Sequence, residues 1–202
     1  MICFRYLHFP VVLSLLLLFS LPNAFADNEK EEDNTLERKW FLTVYGGLHA
    51  QKTLGGLLTF QATFPDDTYI AVAALGREFW RYKQLSLEVE GQVGKYFGQE
   101  HQWQLNALLI ARWHLFPWNK YIATTLAVGD GISYNTEISK VEEADDEDAG
   151  LWLNYLMFEL TLGLPKYRQW DVVVRIHHRS EVFGLIGVGG SNFLTAGIKY
   201  SF

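Results

Sequence analysis

From Trp40 to Phe202 the chain alternates polar and apolar positions in segments of roughly ten residues. A period of two belongs to β-strands whose two faces meet different surroundings. Eight strands are predicted, at about 40–50, 68–80, 84–96, 102–114, 120–133, 151–164, 170–181 and 192–202. In the third, Leu85, Leu87, Val89 and Val93 share one face, and Ser86, Glu88, Glu90 and Gln92 share the other. The fourth sets Trp103, Leu105, Ala107, Leu109, Ala111 and Trp113 against Gln102, Gln104, Asn106 and Arg112. In the last, Leu194, Ala196, Ile198, Tyr200 and Phe202 alternate with Thr195, Gly197, Lys199 and Ser201.

Apolar faces capped by Trp or Tyr suit a wall that meets lipid. The opposite faces carry Glu88, Glu90, Arg112, Glu159, Arg175, Arg179 and Lys199, which would pair inside a narrow lumen. The expected fold is therefore an eight-stranded antiparallel transmembrane β-barrel over 40–202, plugged by its own side chains rather than open as a pore. A soluble barrel with an apolar interior is the alternative, and it would bury the Trp-capped faces. The second, fourth and sixth connectors are short, and three of the other four are long. That asymmetry predicts both termini in the periplasm.

Residues 1–26 read as a cleaved signal peptide: Arg5, an apolar run from Val11 to Leu21, then Ala24-Phe25-Ala26. Its removal would take away the only cysteine, Cys3, and one positive charge, leaving no disulfide to stabilise an exported chain. The stretch 27–39, DNEKEEDNTLERK, is charged and nearly without apolar residues, so a flexible periplasmic tail is expected. The net charge is −6 and no basic cluster is present, which excludes nucleic acid as a partner on electrostatic grounds. Aromatic residues make up 15% of the chain, as barrel girdles require.

Chemistry is concentrated in the seventh strand, WDVVVRIHHRSE. Val172, Val174, Ile176, His178 and Ser180 fall on the lipid-facing side, and Asp171, Val173, Arg175, His177 and Arg179 on the lumen side. A histidine two residues from a serine on one strand face can take its proton and make it a nucleophile, provided a third group orients the ring. Two bland readings compete with this one. His178 and Ser180 are ordinary rim residues, or the HHRS stretch holds lipopolysaccharide phosphates through Arg179. His177 is expected to satisfy lumen carboxylates.

The run from Arg175 to Phe202, RIHHRSEVFGLIGVGGSNFLTAGIKYSF, resembles the C-terminal end of the lipid A 3-O-deacylase family (PagL type). The resemblance covers about 28 residues; elsewhere the chain agrees in strand count and topology. It implies an outer-membrane esterase that removes an ester-linked acyl chain from lipid A, with His178 as general base and Ser180 as nucleophile. It also places Gly184 near the family's oxyanion-hole glycine, shifted by one residue. The family's asparagine after the serine is Glu181 here, and no carboxylate stands at Ser191-Asn192, where the family has its orienting acid. Glu181 or Asn192 is the substitute expected. Phe202 at the end of an alternating strand resembles the signal read by the outer-membrane assembly machinery, and membrane lipid and lipopolysaccharide are the other partners implied. No cofactor is expected.

The remaining features point to no further chemistry. Glu142, Glu143, Asp145, Asp146, Glu147 and Asp148 lack the glycine and spacing of a calcium loop, so a solvated loop is expected. His49, His101 and His114 show no metal-ligand spacing, and no metal is expected. The competing functional class is a non-catalytic small barrel used for membrane integrity, adhesion or surface interaction.

Overall fold

The computed structural model describes residues 39–202 apart from 52, 60, 65–66, 146–147 and 182–185. The signal-like segment and nearly all of the charged tail lie outside the described residues. The strands are β1 (Trp40–His49), β2 (Thr68–Tyr82), β3 (Leu85–Gly98), β4 (Trp103–Trp113), β5 (Ala123–Asn135), β6 (Trp152–Gly163), β7 (Trp170–Ser180) and β8 (Gly190–Ser201). Two short helices, α1 (Leu54–Leu58) and α2 (Lys140–Asp145), sit in the first and fifth connectors. Each strand pairs antiparallel with the next. β1 closes on β8 from Phe41↔Ser201 to His49↔Phe193, making a closed eight-stranded barrel. Closure removes every free sheet edge.

The eight expected segments match the eight strands to within a few residues. β2 runs on past position 80 because a bulge lies between Glu78 and Trp80. The extra residue lets Glu78 turn towards the lumen while Phe79 and Trp80 both face outward. β5 starts later than expected because Asn119 caps the preceding turn, donating to His114 O at 2.6 Å and accepting from Thr124 N at 3.1 Å.

The lumen is solid. Arg175 donates to Glu90 Oε1 at 2.8 Å and to Glu159 Oε2 at 2.8 Å. Arg112 donates to Glu88 Oε1 at 2.7 Å and Glu159 Oε1 at 2.7 Å. Lys199 completes the set, 3.7 Å from Glu88 Oε2. Two arginines thus share the Glu159 carboxylate, and every one of these groups is buried. Desolvating several charges is tolerable only because each has an opposite charge within 4 Å, hydrogen-bonded for both arginines. Apolar clusters also occupy the interior: Tyr45, Ile70, Val72, Ala74, Tyr96 and Phe193 form one, and Leu108, Ile110, Ala127, Tyr155 and Met157 the other.

The exterior is apolar over most of its height: Leu42, Val44, Leu75, Val89, Val93, Leu105, Leu109, Val128, Val172 and Ile198 are all exposed. Near strand ends, Arg77 lies 5.2 Å from the Trp40 ring centroid and Lys95 lies 4.9 Å from that of Trp103. Among the described residues, no helix is long and apolar enough to cross a membrane.

Glu159→Ala leaves two buried guanidinium groups short of a counter-charge. The expected loss is about 3–5 kcal/mol of stability, read as a lower urea midpoint for the purified barrel in detergent. An unchanged midpoint contradicts this account of the lumen.

Candidate active site on the exterior wall

Strand parity separates the seventh strand's two histidines. His177 and Arg179 are buried in the lumen, whereas His178 and Ser180 point outward and are half-buried. The β7–β8 register sets His178 opposite Asn192 and Ser180 opposite Gly190. On the other side, the β6–β7 register sets Asn154 opposite Ser180 and Leu156 opposite His178.

Of the two groups expected to orient the imidazole, Asn192 lies on it. His178 Nδ1 is 2.6 Å from Asn192 Oδ1. An amide oxygen only accepts, so with this placement Nδ1 carries the proton and Nε2 keeps its lone pair. That is the tautomer a general base needs. Glu181 is exposed beyond the end of β7, and its backbone N–H bonds Gly189 O at 3.0 Å. Residues two apart on a strand face have Cα atoms about 7 Å apart, which an imidazole and a hydroxymethyl group can span. No hydrogen bond joins His178 to Ser180 in this structure. Gly184 lies outside the described residues.

The loop after β7 is tied to the loop before β6. Gly150 N donates to Val188 O at 2.9 Å. Gly187 has φ 63°, and a Cβ there would sit 2.1 Å from Trp152 O, so only glycine fits.

Behind the site, the structure overturns two expectations and one of the competing readings. The acidic fifth connector is not wholly solvated: Glu142, on α2, is fully buried. Its Oε1 accepts from Arg179 Nη1 at 2.5 Å and from Ser191 Oγ at 2.7 Å. Glu100 anchors the start of the same helix, accepting from Ser139 Oγ and Val141 N, both at 2.9 Å. Arg179 is consequently buried and paired, and it is not presented to lipopolysaccharide phosphates. His177 meets tyrosines rather than carboxylates: its Nδ1 is 3.0 Å from Tyr155 OH and 3.4 Å from Tyr45 OH. Arg175 already occupies Glu90 and Glu159. Nothing in the spacing of the acidic run distinguished Glu142. The signal was the arginine on β7's lumen side, which needed a partner at the mouth.

The other histidines stay apart from the site. His49 packs on Phe193, with ring centroids 5.4 Å apart, and His101 is exposed. His114 Nε2 is 2.7 Å from Ser86 Oγ. Ligand atoms of Glu78, Glu88 and His114 lie within 4.8 Å of one another. Arg81 and Arg112 each grip one of those carboxylates with two nitrogens, taking the oxygens a cation would need.

One further arrangement was not read from the sequence. On β5, Asp130 is exposed on the exterior, and on β6 the register puts Asn154, 8% exposed, on the same side. Asn154 Nδ2 donates to Asp130 Oδ1 at 2.9 Å and to Gly131 O at 3.0 Å. Asp130, Asn154, Ser180, His178 and Asn192 therefore form one contiguous polar patch across β5 to β8, on a wall otherwise apolar between its end girdles.

No protein-family model matches the chain, and no curated protein matches its sequence. Among solved structures, the chain is similar to the outer membrane enzyme PagL, with TM-score 0.57 and 12% identity over 80% of this chain and 99% of that one. It is also similar to Neisserial surface protein A, with TM-score 0.50 and 10% identity over 81% and 96%. At such identities the likeness establishes the shared eight-stranded barrel fold.

Burial pushes the Glu142 carboxyl above its ordinary range, against the opposing pull of Arg179 and of the Ser191 hydrogen bond. The folded state then holds this proton more tightly than the unfolded one. The group's contribution is full below the ordinary carboxylate range and is lost as pH rises through the raised value. Hydrogen exchange of amides 139–145, corrected for intrinsic rate, should quicken over that rise in the wild type and lose this dependence in Glu142→Gln. A flat wild-type profile contradicts the assignment.

Proposed function

We propose that the chain is an outer-membrane barrel with a serine esterase site on its lipid-facing wall, hydrolysing an ester-linked acyl chain of lipid A. The carrying observation is the contiguous polar patch containing His178, Ser180 and Asn192. Polar groups on a lipid-facing wall cost free energy that grows with distance from the rim, so a cluster of them marks a functional candidate. The resemblance of residues 175–202 to the deacylase family, and the fold shared with PagL, support the same reading.

In this mechanism His178 Nε2 takes the Ser180 proton as Oγ attacks the acyl carbonyl carbon. The tetrahedral oxyanion collapses, the ester C–O bond breaks, and the imidazolium returns its proton to the departing sugar oxygen. Water then cleaves the acyl-serine ester by the same route, releasing the fatty acid. Backbone amides of the 182–190 loop, Gly184 among them, are the donors assigned to the oxyanion. Asn192 keeps Nδ1 protonated but adds no negative charge to stabilise the imidazolium. The barrel stands in the membrane with both termini periplasmic, and Phe202 serves its assembly.

The neutral orienting group and the unmade His178–Ser180 hydrogen bond favour a second reading, a non-catalytic surface barrel. Mass spectrometry of lipid A from cells expressing wild type, Ser180→Ala and His178→Ala separates the two. The esterase reading expects one hydroxyacyl mass to be lost with wild type and retained with both variants, each slower by more than about a thousandfold. Asn192→Asp should raise the rate by restoring the charge. Unchanged lipid A in wild-type cells, with the barrel confirmed in the outer membrane, leaves the second reading standing.

A further inference from the structure

We infer that Asp130 and Asn154 extend the site into an acceptor subsite for hydrogen-bond donors, hydroxyl or amide N–H groups, on the polar part of the acylated substrate. The inference rests on the esterase reading for where the substrate lies.

Asp130 is out of keeping with its surroundings. It stands exposed on β5 between Val128 and Ile132, both exposed and apolar, five residues inside the strand's end at Asn135. An ionisable side chain on such a wall lowers stability unless something offsets it. The lumen arginines are on the opposite side of the sheet, and Lys95 is on β3, two strands away. The protein partner in contact is Asn154, which donates one amide hydrogen to the carboxylate and the other to Gly131 O. Both Asn154 donors are thereby spent, and Oδ1, which bears no hydrogen bond in the structure, remains an acceptor.

Register then decides what these acceptors can serve. Asn154 is directly opposite Ser180, and Asp130 is one strand further, opposite Leu156. Strand spacing places the β5 backbone about 10 Å from that of β7. A molecule whose ester carbonyl sits at Ser180 therefore runs its neighbouring polar groups over Asn154 and Asp130. Strand by strand the groups are the orienting amide on β8, base and nucleophile on β7, the neutral acceptor on β6 and the anionic acceptor on β5, with Asp130 level with His178 across Leu156. Among the described residues, Arg179, the nearest arginine in sequence to the site, points inward and is paired with Glu142. The patch thus fits substrate donors, such as the hydroxyl and amide groups of an acylated amino sugar, and not a bare phosphate.

The full-length mature barrel in detergent, carrying Ser180→Ala to stop turnover, is tested by native mass spectrometry. The probes are lipid A, rich in donors, and phosphatidylcholine, which has acyl esters but no donor. Adding Asp130→Ala should reduce lipid A retention by about tenfold or more, as loss of a charged hydrogen bond does. Phosphatidylcholine retention, and lipid A retention by a Val128→Ala control, should not change. With Ser180 restored, Asp130→Ala should raise KM and leave kcat nearly unaltered. Its urea midpoint should equal or exceed that of the wild type, which a structural role for Asp130 would not allow. Undiminished lipid A retention, a lowered midpoint, or retention abolished by EDTA (a cation-bridged phosphate) overturns the subsite. Retention that depends on Asp130 in a barrel whose parent cleaves nothing sinks the esterase reading alone, and cleavage indifferent to Asp130 sinks the subsite alone.

Discussion

Closure of β1 on β8 in a single register is the constraint on which everything else depends. Once the ladder is closed, each residue of a strand is committed to lumen or exterior, and a slip of one position would exchange the two sets. On β7 that commitment separates Arg175, His177 and Arg179 from Ile176, His178 and Ser180. The lumen network enforces it. Arg175 and Arg112 can be buried only where Glu90, Glu88 and Glu159 meet them, so an alternative register would leave charges unpaired in a dry interior as well as turning apolar side chains inward.

The same row of residues links the interior to the loops. Arg179, next to both candidate catalytic residues but on the other face, meets Glu142 from α2, and Glu142 also accepts from Ser191 on β8. The long fifth connector is therefore fastened to the two strands that carry His178, Ser180 and Asn192. Glu100 repeats the device from the third connector. A site on the outside of a barrel is thus braced from the inside, through side chains of opposite parity on the same strands.

A hydrolytic site facing lipid, the function proposed for this wall, has a different problem from one in a cleft. The membrane delivers the acyl chains and excludes bulk water, while the protein must tolerate polar side chains on a wall meant for hydrocarbon. Neighbouring side chains meet part of that requirement here: Asn192 engages the His178 ring and Asn154 engages Asp130. The two contacts flank Ser180, and both use asparagine, which satisfies its neighbours without adding charge.

Period-two alternation was enough to define eight strands, their faces and the lumen charges, because in a barrel each strand records the same two environments independently of its neighbours. The spacing of His178 and Ser180 was legible for the same reason. Placement of Asn192 on the imidazole was not, since it depends on the β7–β8 register across the connector from Glu181 to Gly189. Sequence proximity had left Glu181 an equal claim, yet the strand ends before it. Glu142 was hidden in a run of acids whose solvated members look identical, and only the fold of α2 over the mouth chose it for Arg179. Asp130 and Asn154 lie 24 residues apart on different strands, so nothing local joins them to each other or to Ser180. By itself the sequence determined the alternation, and with it the barrel and the face on which each side chain falls. Tertiary structure alone decided which residues of separate strands became neighbours, because register and loop docking are properties of the closed sheet and not of any one segment.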